Sequence, residues 1–152
     1  MAIPRLVVSA PQGRSGKTTL TIGLAAAFAR RGLRVQPFKK GPDYIDPSWL
    51  SEAAGRPCRN LDLFFFSPDR LLAGFGAACR GADLALIEGA HGLFDGIEGD
   101  GRDNTTAAIA RLLQAPVVLV VDADRMGASV AALARGFKDF DPSIRVAGVI
   151  AN

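Results

Sequence analysis

Residues Gly13-Arg14-Ser15-Gly16-Lys17-Thr18-Thr19 follow the apolar run Leu6-Val7-Val8 and lead straight into an apolar-periodic stretch that reaches Arg31. A strand, a tight glycine turn and a helix start, in that order, make a phosphate-binding loop. The free N–H groups and positive dipole end of the helix face an anion. Gly13 and Gly16 let the backbone approach phosphate oxygens that a Cβ would keep away. Lys17 is placed to reach the β- and γ-phosphates, and the Thr18 hydroxyl to bind Mg²⁺. The usual spacing asks for glycine at position 11, where this chain has Pro11, so the loop is a variant opening at Ala10. Gln12, Gly13, Arg14, Ser15, Gly16, Lys17, Thr18 and Thr19 are therefore expected to hold a nucleoside triphosphate.

Outward from this loop, apolar runs recur at 5–10, 34–39, 84–88, 116–122 and 145–151. Their near-continuous hydrophobicity suits strands buried on both faces, as in a parallel sheet. Helical stretches alternate with them. The one at 17–31 stops at Gly32, and Ser67-Pro68 reads as the N-cap and first turn of a helix running to about Arg80. Asn104 is expected to cap 105–113, and 129–137 is alanine-rich. The alternation predicts a doubly wound, mainly parallel α/β sheet of the P-loop NTPase kind, with ligands at the carboxyl ends of its strands. At 152 residues the default is one domain. The chain stops on the tip of the last strand-like run, and the expectation is a truncated domain covering 1–152.

Composition narrows the function classes. The net charge of +3 is modest and its basic residues are scattered, which argues against nucleic acid as a partner. Cys58 and Cys79 stand in unrelated contexts, so neither a disulfide nor a zinc site is expected. No apolar run reaches the roughly 18 residues of a membrane span. A cytoplasmic protein with no membrane partner is the simple reading.

The segments after each strand should carry the chemistry. Two strand-end carboxylates, Glu88 and Asp122, compete to hold the metal, and the glycines behind Glu88 favour it. In Lys39-Lys40-Gly41-Pro42-Asp43-Tyr44-Ile45-Asp46-Pro47, Asp46 has a structural reading as the N-cap of a following helix. Asp43 has no such alternative in the sequence and reads as a ligand of the metal or of its water. One of the two lysines would stabilise transferring phosphate. His91, the only histidine, reads as a polar surface residue in a glycine turn, and Phe64-Phe65-Phe66 as core rather than a nucleobase platform. The polar, glycine-rich stretch 95–103 reads as a mobile substrate cover.

Taken together, these motifs resemble the synthetase domain of the cobyrinic acid a,c-diamide synthase family, with a dethiobiotin synthetase-like fold. The resemblance rests on the loop Ala10 to Thr19, Lys39 with Gly41-Pro42-Asp43-Tyr44-Ile45-Asp46-Pro47, Arg56-Pro57-Cys58, Asn60-Leu61-Asp62, Glu88, Gly92-Leu93-Phe94-Asp95-Gly96 and Asp122 with Arg125-Met126. It covers essentially the whole chain. It implies ATP-dependent amidation of the a- and c-acetates of a tetrapyrrole polycarboxylate through an acyl phosphate. Ammonia would come from glutamine, hydrolysed by a C-terminal glutaminase domain that this chain does not contain. By resemblance, Mg²⁺ falls to Thr18, Asp43 and Glu88, and Lys17, Lys39, Asp43, Asp46 and Asp95 are catalytic. Tyr44, Ile45, Asp46 and Asp95 shape the substrate site, and Asn152 contacts the nucleotide base. A homodimer is left open. Two other readings stand beside this one: diamidation of sirohydrochlorin or its nickel form, and a partition or positioning ATPase, against which Gln12 speaks because such proteins carry a lysine early in the loop.

Overall fold

The computed structural model describes residues 3–96 and 104–152. Six parallel strands form one sheet in the order β3-β2-β4-β1-β5-β6, where β1 is Arg5–Ser9, β2 Val35–Lys40, β3 Arg59–Leu61, β4 Leu84–Glu88, β5 Val117–Val121 and β6 Val146–Ala151. Between them run α1 (Lys17–Arg30), α2 (Asp46–Ala54), α3 (Pro68–Ala78), α4 (Thr106–Leu113) and α5 (Ser129–Phe140). The expected doubly wound sheet is present with one strand more. β3 has three residues and exposes Arg59 and Asn60, so it carries no apolar run to be read. The run 84–88 is consequently the fourth strand.

Central strands β1, β2, β4 and β5 are buried along almost their whole length because helices cover both faces. One core layer packs Val7, Phe38, Phe75, Ile87, Ile109, Val117 and Leu119 together, with Phe38 stacked on Phe75 at 4.7 Å between centroids. The opposite layer joins Val8, Ala25, Val35, Leu86 and Val120. The edge strand β6 differs. Its residues alternate between half-buried and exposed, and α5 beside it contains no buried residue.

Helix ends follow side-chain chemistry, with corrections to the expected caps. Gly32 takes φ 84° just beyond α1, as the stop signal requires. Ser67 Oγ accepts from Arg70 N at the start of α3, which ends at Ala78 with Cys79 as its C-cap, close to the expected end near Arg80. Thr105, not Asn104, caps α4: its Oγ1 accepts from Ala108 N at 3.0 Å. Asn104 lies one residue too early to reach that N–H. Its side-chain nitrogen and oxygen have no hydrogen-bond partner among the described residues. Phe64, Phe65 and Phe66 do not enter the core; they are 67%, 62% and 47% exposed. The expected mobile cover at residues 97–103 lies outside the described residues.

Thr105→Ala should therefore cost about 1 kcal/mol, the usual value of a lost N-cap. Asn104→Ala should stay within about 0.5 kcal/mol, because its side chain makes no hydrogen bond to the described residues. Urea unfolding of both variants checks the assignment, and the reverse order would return the cap to Asn104.

Candidate active site

The strand order decides which loops meet. β4 lies between β2 and β1, so the carboxyl end of β4 is flanked by Lys39 on one side and by the loop after β1 on the other. Lys39 and Glu88 are register partners across β2 and β4, and Val8 and Glu88 across β1 and β4. Glu88 is fully buried. Its Oε1 accepts from Thr18 Oγ1 and lies 3.1 Å from Lys39 Nζ. Lys39 Nζ also donates to Asp46 Oδ2 at 2.6 Å and lies 3.9 Å from Asp43 Oδ2. Thr18, Lys39, Asp43, Asp46 and Glu88 thus form one cluster drawn from four segments. Asp122 stands past β5, on the far side of β1, where its Oδ1 accepts from Asp124 N in a local turn.

The two aspartates of the 41–47 loop exchange the structural parts expected of them. Asp43 Oδ1 accepts from Ile45 N at 2.9 Å and from Asp46 N at 3.1 Å, closing the turn that starts α2. Asn60 Nδ2 holds the Asp43 carbonyl at 2.7 Å. Asp46 is already inside α2 and caps nothing; its carboxylate is free to bind Lys39. Tyr44 and Ile45, between them, are 85% and 60% exposed at the edge of the site. Trp49, not singled out in the sequence, stands one turn along α2 and is also exposed.

In the phosphate loop, Gln12, Gly13 and Arg14 are exposed, Ser15 and Lys17 are buried, and Thr19 lies exposed on the first turn of α1. Arg14 holds φ 61°, a left-handed conformation that non-glycine residues adopt at a cost. Gly16 has φ 84°, and a Cβ there would collide with the Asn152 amide. That amide donates to Ser15 O at 3.1 Å, which ties the tip of β6 to the loop. On the other side, Asp95 Oδ2 accepts from Gly92 N at 3.1 Å, and a Cβ on Gly92 would meet Pro11 O at 2.6 Å. Arg56, quoted for the resemblance, clamps the fold: its guanidinium bonds Gln36 and the carbonyls of Ala78 and Arg80.

Electrostatics set the protonation states. Burial works against the Lys39 ammonium, but Glu88 and Asp46 overcome it and hold its pKa above the ordinary lysine value. Burial raises the Glu88 carboxyl, partly countered by Lys39 and by the Thr18 hydroxyl. Lys17 moves down, because burial and the Lys39 charge outweigh Glu88 and Asp46. Burial pushes the Cys58 thiol up to about 12 and the Cys79 thiol up to about 11, so neither is a thiolate nucleophile at neutral pH.

A divalent metal fits this donor set. Glu88 Oε2 is buried with no hydrogen-bond partner among the described residues, beside the Thr18 hydroxyl. Hard oxygen donors of this kind suit Mg²⁺, which takes one or two carboxylates and fills its remaining positions with water and phosphate. No group of three His, Cys, Asp or Glu among the described residues has metal-binding geometry. No helix among them is long and apolar enough to cross a membrane.

A family model described as the CobQ/CobB/MinD/ParA nucleotide binding domain matches residues 6–152. The chain is 52% identical over 151 residues to a hydrogenobyrinate a,c-diamide synthase of Streptomyces coelicolor, covering 99% of this chain and 31% of that protein. It is 51% identical over 152 residues to a cobyrinate a,c-diamide synthase of Syntrophotalea carbinolica, covering 100% and 33%. The chain therefore spans about a third of the length of these curated relatives. Among solved structures, the 54 kDa signal recognition particle protein of Aeropyrum pernix K1, in complex with GDP, aligns with TM-score 0.64 at 26% identity, over 93% of this chain and 34% of that one. Chloroplast FtsY from Physcomitrella patens aligns with TM-score 0.65 at 21% identity, over 99% and 50%, a likeness of fold alone. The chain belongs to the CobQ/CobB/MinD/ParA nucleotide-binding domain family.

The buried Lys17 charge gives a measurable signature. Its folded pKa lies below 10.5, so the unfolded chain binds more protons between the two values and stability rises with pH across that window. Without nucleotide, Lys17→Met should melt above the parent at neutral pH, and the gap should narrow as pH climbs towards 10.5. Calorimetry against pH checks this; a Lys17→Met protein that melts below the parent at every pH would overturn it.

Proposed function

We propose that this member of the CobQ/CobB/MinD/ParA nucleotide-binding family is the ATP-dependent synthetase part of a cobyrinate or hydrogenobyrinate a,c-diamide synthase. The observation that carries the reading is the Lys39 cluster: a buried ammonium held by Asp46 and Glu88, next to Thr18 of the phosphate loop. The names borne by the relatives favour the corrinoid over sirohydrochlorin, and the amidating ligase over a partition ATPase.

The chemistry follows from these positions. A carboxylate is a poor electrophile until one of its oxygens carries phosphate. Its oxygen attacks the γ-phosphorus of ATP, the bond to the bridging oxygen breaks, and ADP leaves. Ammonia then adds to the carbonyl carbon of the acyl phosphate, phosphate departs, and loss of a proton leaves the amide. Bringing two polyanions together calls for cations at the point of transfer. Lys17 neutralises the β- and γ-phosphates at the helix end, and Lys39 faces the incoming carboxylate. Thr18 and Glu88 would hold Mg²⁺, which when bound offsets the charge of the phosphates, and Asp43 would hold one of its waters. Asp46 orients the Lys39 ammonium, Asp95 fixes the glycine turn beside Pro11, and Tyr44 with Ile45 borders the substrate. Asn152, anchored to the loop carbonyl, would face the base. Ammonia supply from glutamine would fall to a glutaminase domain, in keeping with the two neutral thiols here. A cytoplasmic location and a homodimer fit this reading.

The test uses the full-length enzyme with ATP, Mg²⁺, an ammonium salt and cobyrinic acid. Lys17→Ala should abolish ATP turnover, and Glu88→Gln should raise the Mg²⁺ needed for half-maximal rate by about tenfold or more, while Asp122→Asn stays near the parent. An equal or larger Mg²⁺ shift in Asp122→Asn would reverse the two strands' roles. Parental rates in Lys17→Ala would remove the phosphate-loop assignment. Asp46→Asn should lose amide formation at least tenfold, and because it takes the charge from a partner of the buried Lys39 ammonium it should also melt below the parent.

A further inference from the structure

Lys40 follows Lys39 on β2, and neighbouring residues of a strand point to opposite faces. Lys39 turns to Glu88 and Asp46; Lys40 lines a cavity of about 540 Å³ at the same sheet edge, which borders the cluster at Asp43. Lys40 is 6% exposed, yet no hydrogen bond or ion pair engages its ammonium among the described residues. Burial, which disfavours its charge, outweighs the attraction of the nearby Asp62 carboxylate, and a buried cation with no hydrogen-bonded anion is costly unless something else supplies one.

The rest of the lining narrows what that anion belongs to. Three carboxylates face the cavity, and each already has an oxygen committed to backbone N–H groups: Asp43 to Ile45 and Asp46, Asp62 to Phe64 at 2.7 Å, and Asp95 to Gly92. Phe64 and Phe65 also line it, and they leave most of their ring surface open. The Asp62 bond holds the Phe64 backbone, so the aromatic pair is presented by a fixed turn rather than a loose one. His91, at φ 53°, lines it as well. Open aromatic faces beside a buried ammonium that has no hydrogen-bonded anion among the described residues suit a flat, apolar-bodied molecule that carries several carboxylates.

We propose that Lys40 is a specificity residue: it binds a carboxylate of the substrate that is not the one being phosphorylated, while Phe64 and Phe65 pack against the face of the macrocycle. The inference rests on the functional reading above and deepens it. Lys39 meets the reacting acetate and Lys40 holds a second one, so the two faces of β2 fix the orientation in which the macrocycle enters. A molecule with a single carboxylate would lose one of the two anchors.

The experiment compares Lys40→Met, Lys40→Arg and the Phe64→Ala/Phe65→Ala double variant in the full-length enzyme. Readouts are steady-state amidation with ammonium and cobyrinic acid, direct titration of cobyrinic acid by its own absorbance, and melting temperature. Lys40→Met should raise KM and Kd for cobyrinic acid by about tenfold or more, with kcat and the KM for ATP within about threefold of the parent. Lys40→Arg should restore most of that affinity, and the double variant should weaken binding without changing the KM for ATP. If Lys40 only balances the charge of Asp62, Lys40→Met will melt lower and bind cobyrinic acid as the parent does, which overturns the proposal. A parent that binds and amidates no tetrapyrrole acid would instead overturn the functional reading. A parent that binds without turnover still ranks the variants by titration.

Discussion

Burying Glu88 completely at the end of a strand is the constraint on which the rest of the site depends. A carboxylate out of water must be paired and hydrogen-bonded, or it takes up a proton. Here it is paired with Lys39 and bonded by Thr18, and each partner comes from a different strand–loop unit. The pairing therefore couples three things: the β2–β4 neighbourhood, the start of α1, and the turn that delivers Asp46. Removing one member of such a group strands the others, which typically costs more than the intact pair contributes. The same arrangement leaves Glu88 Oε2 without a hydrogen-bond partner among the described residues, so one oxygen of the buried carboxylate remains available to a further donor or cation.

Much of this was legible in the residues, for identifiable reasons. The phosphate loop could be read because its backbone demands, small residues at 13 and 16 and a lysine at the helix start, are written in residue types. The buried strands could be read because two covered faces require continuous apolar runs. β3 could not, since an edge strand of three residues with two exposed polar side chains satisfies no such rule. Glu88 and Asp122 both end an apolar strand; the glycines behind Glu88 favour it locally, but its place beside Lys39 follows from the strand order, which no local pattern encodes.

Caps and turns failed for a different reason. Asp43 and Asp46 are both acids next to a proline, Asp43 after Pro42 and Asp46 before Pro47, and the chain chooses between them by the path of the loop, not by composition. Asn104 and Thr105 are both good capping residues, and a single position decides which oxygen meets the Ala108 N–H. Phe64 to Phe66 misled because three consecutive aromatics have the composition of a core, whereas the Asp62 turn presents them to solvent. Lys40 was hidden by its neighbour: a lysine pair reads as solvated until the pleat of β2 sends the two side chains apart.

The two margins of the sheet are unequally defended. β3 is short, and Arg59 stands on it in the open, which discourages another strand from adding there. β6 is six residues long, Val-Ala-Gly-Val-Ile-Ala, with no charge along it, and its outer backbone groups form the last row of the sheet. Such a margin is a template for strand addition between molecules. A lysine at the exposed position Val149 is the kind of gatekeeper that blunts such a margin.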